Sequence, residues 1–259
     1  MNVIAETPIP AGIGAEEWKI RCDLAALYRL VAHHRMTDLI YTHISARLPG
    51  PEHHFLINHY GMMFHEMRAS DLVKIDLDGN IIEQEGVTAR PVNQAGFTIH
   101  SAVHMAREDV MCVIHTHTSA GIAVSAQEHG LLPISQHALK FYGRLAYHGY
   151  EGVALDLDER DRLVADLGPH KAMVLRNHGL LVAGATIPEA WNLIYYLERA
   201  CQAQVAALAG GAKLVLPPEE VRQRTAAQMA PVSPDRPHIR MAWEASLRLI
   251  ENDRPDYRS

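Results

Sequence analysis

The chain has 259 residues, 24 Lys and Arg against 30 Asp and Glu, and a formal net charge of −6 with its 17 histidines neutral. Apolar residues make up 48% and charged residues 21%, a mixture that excludes wholesale disorder and can bury a sizeable core. The acidic balance argues against nucleic acid or an anionic membrane as partner. No apolar run approaches the ~20 residues of a bilayer span, and Met1 to Glu17 lacks the basic and apolar regions of a signal peptide.

Residues 1–15, with Pro8, Pro10, Gly12 and Gly14, predict an arm. From Glu16 to about Arg35, Trp18, Leu24, Leu27, Tyr28 and Val31 recur at helical spacing, which predicts an amphipathic helix. Tyr41 to Arg47 and Phe55 to Asn58 predict strands, and Leu72 to Leu77 followed by Asp78-Gly79-Asn80 and Ile81-Ile82 predicts a hairpin. Asn93 to Arg107 suits a helix, Val110 to Ile114 a buried strand, and a further helix is expected to follow His117 and end near His129-Gly130. Leu145 to Gly152 leads into a helix from about Asp158 to Leu167, stopped by Gly168-Pro169. Ala172 to Leu175 and Leu180 to Ala183 read as buried strands. Thr186-Ile187-Pro188-Glu189 opens a long helix to about Ala209, with Thr186 as N-cap and Glu189 placed to close a capping box. Gly210-Gly211 and Pro217-Pro218 are expected to end the compact part. The tail carries one more amphipathic segment, Ile239 to Ile250. The pattern predicts an α/β fold with a mixed sheet. Its organisation is an arm (1–15), a main domain (16–216) and a C-terminal extension (217–259).

The three cysteines, Cys22, Cys112 and Cys201, form no CxxC pair and sit among apolar residues. They read as small buried hydrophobes in a reducing cytoplasm, the expected location. Histidine carries the chemistry. In Val113-Ile114-His115-Thr116-His117 the two imidazoles are i and i+2 of an extended segment and project to one side. Emerging at a strand end, they form half of a tetrahedral site for an ion such as zinc. Met173 to Gly179 repeats the design, an apolar strand and then a polar turn bearing His178. If the two strands are neighbours, His178 faces the pair, and three histidines with one open position match a catalytic metal site.

These segments resemble the class II aldolase/adducin family. The resemblance rests on Gly96 to His104, Val113 to Thr118 and Arg176 to Leu180, with Thr42 to Arg47 upstream, and spans roughly Trp18 to Leu208. It implies a three-layer α/β/α fold with a central mixed, largely antiparallel sheet. It also implies a four-fold symmetric homotetramer with its site between subunits, and one divalent ion per chain on His115, His117 and His178. Zinc is favoured over manganese or iron. The family's sugar-phosphate aldolases carry a Gly-Asn that helps hold phosphate, where this chain has Tyr41-Thr42-His43. They also carry a glutamate, ligand and base, at the position of Gly96. Their acidic tyrosine falls near His148, with Tyr150 competing for the role.

A bound ion can stabilise the charge that forms when a C–C bond breaks. Retro-aldol cleavage also needs a base, whereas decarboxylation needs only an acid, so Gly96 favours decarboxylation. The expected function is therefore a metal-dependent lyase, decarboxylase ahead of aldolase, acting on a small non-phosphorylated keto or hydroxyaromatic carboxylate. His148 and Tyr150 are the candidate acids. His43, Arg47, Arg90 and His100 are the candidate substrate-binding residues, the arginines as carboxylate anchors. The alternatives are a non-enzymatic adducin-like scaffold and an Fe(II)-dependent oxygenase on the same fold.

Overall fold

A computed structural model describes residues 9–82, 91–153, 158–230, 236–251 and 255–259. Seven strands form one sheet: β1 (His43–Arg47), β2 (Phe55–Asn58), β3 (Leu72–Ile75), β4 (Cys112–Thr116), β5 (Ala146–His148), β6 (Ala172–Leu175) and β7 (Gly179–Gly184). Their order is β3-β2-β1-β4-β7-β6-β5. Only β5 and β6 run parallel, and the other neighbours are antiparallel, so the sheet is mixed and largely antiparallel as expected.

Helices cover both faces. Along β4, Cys112 and Ile114 point into a core shared with α1 (Ala15–His33), α3 (Ser119–Ser125) and α6 (Ile187–Leu208). Val113 points the other way, into a core shared with α2 (Gln94–Ala106) and α5 (Glu159–Leu167). This period-two alternation makes three layers from one sequence pattern. By the same parity His115 and its partner across the ladder, His43, face the α2 side.

The local signals place most elements. In α1, Trp18, Leu24, Leu27, Tyr28 and Val31 are buried as the spacing predicts. The Thr186 hydroxyl accepts from the Glu189 backbone N–H at 3.1 Å, capping α6. Glu189 does not close the box on Thr186; its carboxylate accepts instead from the Ala185 N–H and from Lys171. The turn after β3 is held by Asp76, whose Oδ1 accepts from Asp78 and Asn80 backbone N–H groups. The predicted return strand is reduced to a single bridge, Ile75 to Ile81.

Two further short helices are α4 (Gln136–Leu139) and α7 (Glu219–Gln228). The segment expected at Ile239 to Ile250 is α8 (Pro237–Glu251). Its Trp243 and Ile250, with Tyr257 beyond, belong to the same core as α1 and α6, and each large apolar side chain buried there contributes roughly 1.5–3 kcal/mol. The compact part therefore continues past Pro217-Pro218. Among the described residues no helix is long and apolar enough to cross a membrane.

Candidate metal centre

His115 lies in β4 and His117 just beyond its end, while His178 sits in the turn between β6 and β7. β6 is not the neighbour of β4. β7 lies between them, with His115 opposite Leu181 and Thr116 opposite Leu180. It is the start of β7 that carries His178 across to the pair.

The turn explains its own sequence. Asn177 has φ 56°, in the left-handed region that asparagine tolerates better than most residues. A Cβ on Gly179 would stand 2.3 Å from the Thr116 carbonyl oxygen, so only glycine lets the turn close on β4. Arg176 pins the turn by donating to the Gln127 carbonyl at 2.7 Å. On the other side Thr118 caps α3 by accepting from the Gly121 N–H, and donates its own hydroxyl to Glu198.

The result is a convergence of three imidazoles. Nε2 of His117 lies 2.8 Å from Nε2 of His115 and 2.9 Å from Nε2 of His178. One ring nitrogen from each residue falls within 4.8 Å of the others. The opposite nitrogens fix two of the tautomers. His115 Nδ1 donates to the Leu180 carbonyl at 3.0 Å, and His117 Nδ1 donates to Asp38 Oδ2 at 2.9 Å. Both Nε2 atoms are then bare lone pairs facing one another, an arrangement that a cation between them relieves. Burial holds His115 well below its ordinary pKa, with the His178 and His117 charges adding. Burial followed by His117 pulls His178 down to about 4. Neutral imidazoles are the ligand form, and a carboxylate behind a ligating histidine is a recurrent orienting device. The donor set therefore fits a divalent ion.

A cavity of about 340 Å³ opens over these nitrogens. Tyr41, Tyr60, Asn93, His43 and Tyr150 line it, and no Lys or Arg does so among the described residues. The Tyr41 and Tyr60 rings lie 6.3 Å apart, and the Tyr150 ring lies 6.2 Å from His178. His43 stacks on His115 at 5.8 Å. A Cβ on Gly96 would fall 2.4–2.7 Å from the His43 ring. The imidazole thus fills the space that a side chain at position 96 would take.

The other candidates are placed differently. His148 is buried on β5 with Nδ1 at 2.7 Å from Asp166 and Nε2 at 3.4 Å from Glu159; both nitrogens are committed to carboxylates and neither lines the cavity. Arg47 points to the far end of β1, where it donates to the carbonyls of His104, Arg107 and Val110. It caps the last turn of α2, so it is no carboxylate anchor here. His100 is fully buried behind His43 with Nδ1 on Ser45 Oγ at 2.6 Å. Ser45 also meets His104 Nε2 at 2.8 Å. Arg90 lies outside the described residues. Asp38, Tyr41, Tyr60 and Asn93 were not singled out in the sequence.

Residues 22–205 match the family model for the class II aldolase and adducin N-terminal domain. The chain belongs to this family. A Caulobacter vibrioides protein, assigned to the class 2 aldolases by name only, is 52% identical over 250 residues, 95% of this chain and 94% of that one. Rat alpha-adducin is 42% identical over 244 residues, 90% of this chain but 33% of the adducin. Among solved structures, an aldolase II superfamily protein from Pseudomonas syringae superposes with TM-score 0.90 at 52% identity, covering 95% of this chain and 98% of that one. The L-fuculose 1-phosphate aldolase of Glaciozyma antarctica gives TM-score 0.83 at 29% identity, covering 98% of this chain and 97% of that one. The chain shares the class II aldolase fold with these two structures.

Proposed function

We propose that the chain is a divalent-metal-dependent carbon–carbon lyase acting on a small non-phosphorylated keto or hydroxyaromatic acid, by decarboxylation ahead of aldol cleavage. The observation that carries this reading is the convergence of the His115, His117 and His178 Nε2 atoms on one point at the base of a cavity. These three residues would hold the ion, zinc ahead of manganese or iron. When bound it supplies Lewis-acid stabilisation of the charge that develops as the bond breaks, worth several kcal/mol.

The chain's own residues set the rest. At position 96 there is no carboxylate, and the His43 ring occupies its space. A reaction that needs no base to take a hydroxyl proton suits such a site. Carbon dioxide leaves with its bonding pair left on the remaining fragment, and one proton must then be returned to carbon. On this reading Tyr150 delivers it: supporting this, its ring centre lies 6.2 Å from that of His178, while His148 meets two carboxylates. Tyr41, Tyr60 and Asn93 form walls suited to a planar or aromatic acid. Tyr150 is 56% and Val153 70% exposed at the cavity mouth, a rim that fits coverage by a neighbouring subunit of a homotetramer. A cytoplasmic location goes with this reading.

A second reading, a non-enzymatic scaffold, is favoured by the 42% identity to an adducin. Retention of the whole donor set speaks against it. Carbon dioxide release from a panel of keto and hydroxyaromatic acids separates the two. The lyase reading expects release that stops on chelation, returns with added metal, and falls 10²–10⁴-fold in Tyr150→Phe. Metal-replete protein inert toward the whole panel, with no aldol cleavage either, would favour the scaffold.

A further inference from the structure

His178 lies in the turn three residues beyond Leu175, the last residue of β6, and a second cavity, of about 150 Å³, lies at the strand's first residue, Ala172. At ~3.3 Å per residue the two sites are separated by roughly 10 Å of strand. The second cavity sits between α4, α6 and the start of α8, and is lined by Lys140, Arg144, Lys171, Arg236, Glu189 and Asn192 among others.

Its charges do not balance. Glu189 is already used: both its oxygens accept from Lys171 Nζ at 2.9 Å, and one also accepts from the Ala185 N–H at 2.7 Å. Lys140, Arg144 and Arg236 have only neutral partners among the described residues. Lys140 donates to the Asn192 side-chain oxygen and lies 4.6 Å over the Tyr196 ring. Arg144 Nη2 donates to the Ala226 carbonyl and Arg236 Nη2 to the Ala230 carbonyl, each at 2.8 Å. Arg144 Nη1 is shut away from solvent with no hydrogen-bond partner among the described residues. Burial, with the Arg236 charge adding and Glu189 opposing, pulls the Lys140 ammonium down to about 8. Among the described residues, three cations with no carboxylate in contact line one small cavity of a chain of net charge −6, and an anion between them would offset their mutual repulsion.

We propose that this cavity binds a small multivalent anion, a phosphate group or a dicarboxylate, on Lys140, Arg144 and Arg236, apart from the histidine site. Arg144 Nη1 is the donor left without a partner among the described residues, and a guanidinium donor of this kind suits a phosphate or carboxylate oxygen. The cavity's size suits the anionic head of a small metabolite and excludes a nucleotide. Because Arg144 is bonded to α7 and Arg236 immediately precedes α8, a bound anion would tie both C-terminal helices to the foot of β6.

Calorimetric titration and thermal unfolding of the full chain with inorganic phosphate and with malonate, against sodium chloride at equal ionic strength, test this. Saturable binding and a rise in Tm are expected with at least one of the two anions, and their order of affinity assigns the phosphate or the dicarboxylate class. Arg144→Gln and Lys140→Met should each weaken binding tenfold or more, while Lys213→Gln, outside the cavity, leaves it unchanged. Arg236→Gln, at a partly exposed position, carries the test if the buried substitutions unfold the protein. Stabilisation no greater than that from sodium chloride, or binding equally tight in the folded cavity variants, would overturn the proposal.

Discussion

Gly96→Ala is expected to reverse its sign according to the residue at position 43. Gly96 lies within α2, where replacing glycine by alanine normally stabilises a helix by about 1 kcal/mol. Here the new methyl would meet three atoms of the His43 ring at 2.4–2.7 Å. That ring has little room to yield, since it is buried, stacks on His115 and meets His100 edge-on at 5.4 Å. Overpacking of this kind costs roughly 1–3 kcal/mol, and the close distances place the cost toward the upper end. Gly96→Ala alone should therefore destabilise by about 1–2 kcal/mol, the strain less the helix gain. In a His43→Ala background the ring is gone, the strain vanishes, and the same substitution should stabilise by about 1 kcal/mol. Urea unfolding of the four proteins in this double-mutant cycle reads the coupling, expected at about 2–3 kcal/mol. Additive effects within about 0.5 kcal/mol would refute the claim that His43 fills the space at position 96.

Asp38→Asn should leave the fold intact and weaken divalent-ion affinity 10–100-fold, because Asp38 orients the His117 ring and sets its tautomer; competition against a chromogenic chelator measures this, and unchanged affinity would remove Asp38 from the site. The pH dependence of stability has a signed expectation from His104. Burial, with the Arg47 charge adding, lowers its pKa from 6.5 to about 3. Below pH 6.5 the unfolded chain therefore binds a proton that the folded chain refuses, so stability falls as pH falls from 6.5 toward 3, by at most about 1.4 kcal/mol per pH unit for this group. Unfolding free energies of wild type and His104→Gln between pH 7 and pH 4.5 check it; equal slopes in the two proteins would contradict it.

Much of the fold was legible because one apolar pattern decides it. Phe55 to Asn58 and Ala172 to Leu175 are strands with the predicted bounds, since short buried β-rich runs between turn residues leave little choice. α7 was not legible: of Glu219 to Gln228 only Ala226 is buried, so it has almost no apolar stripe to detect. In the site, the His-x-His pair and the Asn-His-Gly turn announced themselves, but how they meet did not. Pairing β4 with β7 rather than with β6 is a long-range choice that local spacing does not encode. The role of Arg47 is hidden for a related reason. A basic residue at a strand end looks the same whether it faces a ligand or carbonyls at the end of α2 and in the loop that follows it. Tyr41, Tyr60 and Asp38 sit in connecting segments without periodicity, and only the folded chain brings them to the cavity and to His117.

Elemental analysis of the purified chain tests the central claim most directly. One divalent ion per chain is expected in wild type after metal loading, and none at stoichiometric level in His178→Ala, a variant whose partly exposed side chain at the turn should leave the thermal unfolding of the apo-protein nearly unchanged. A wild-type chain that takes up no divalent ion at saturating metal, or a folded His178→Ala chain that holds one as tightly as wild type, would contradict the account.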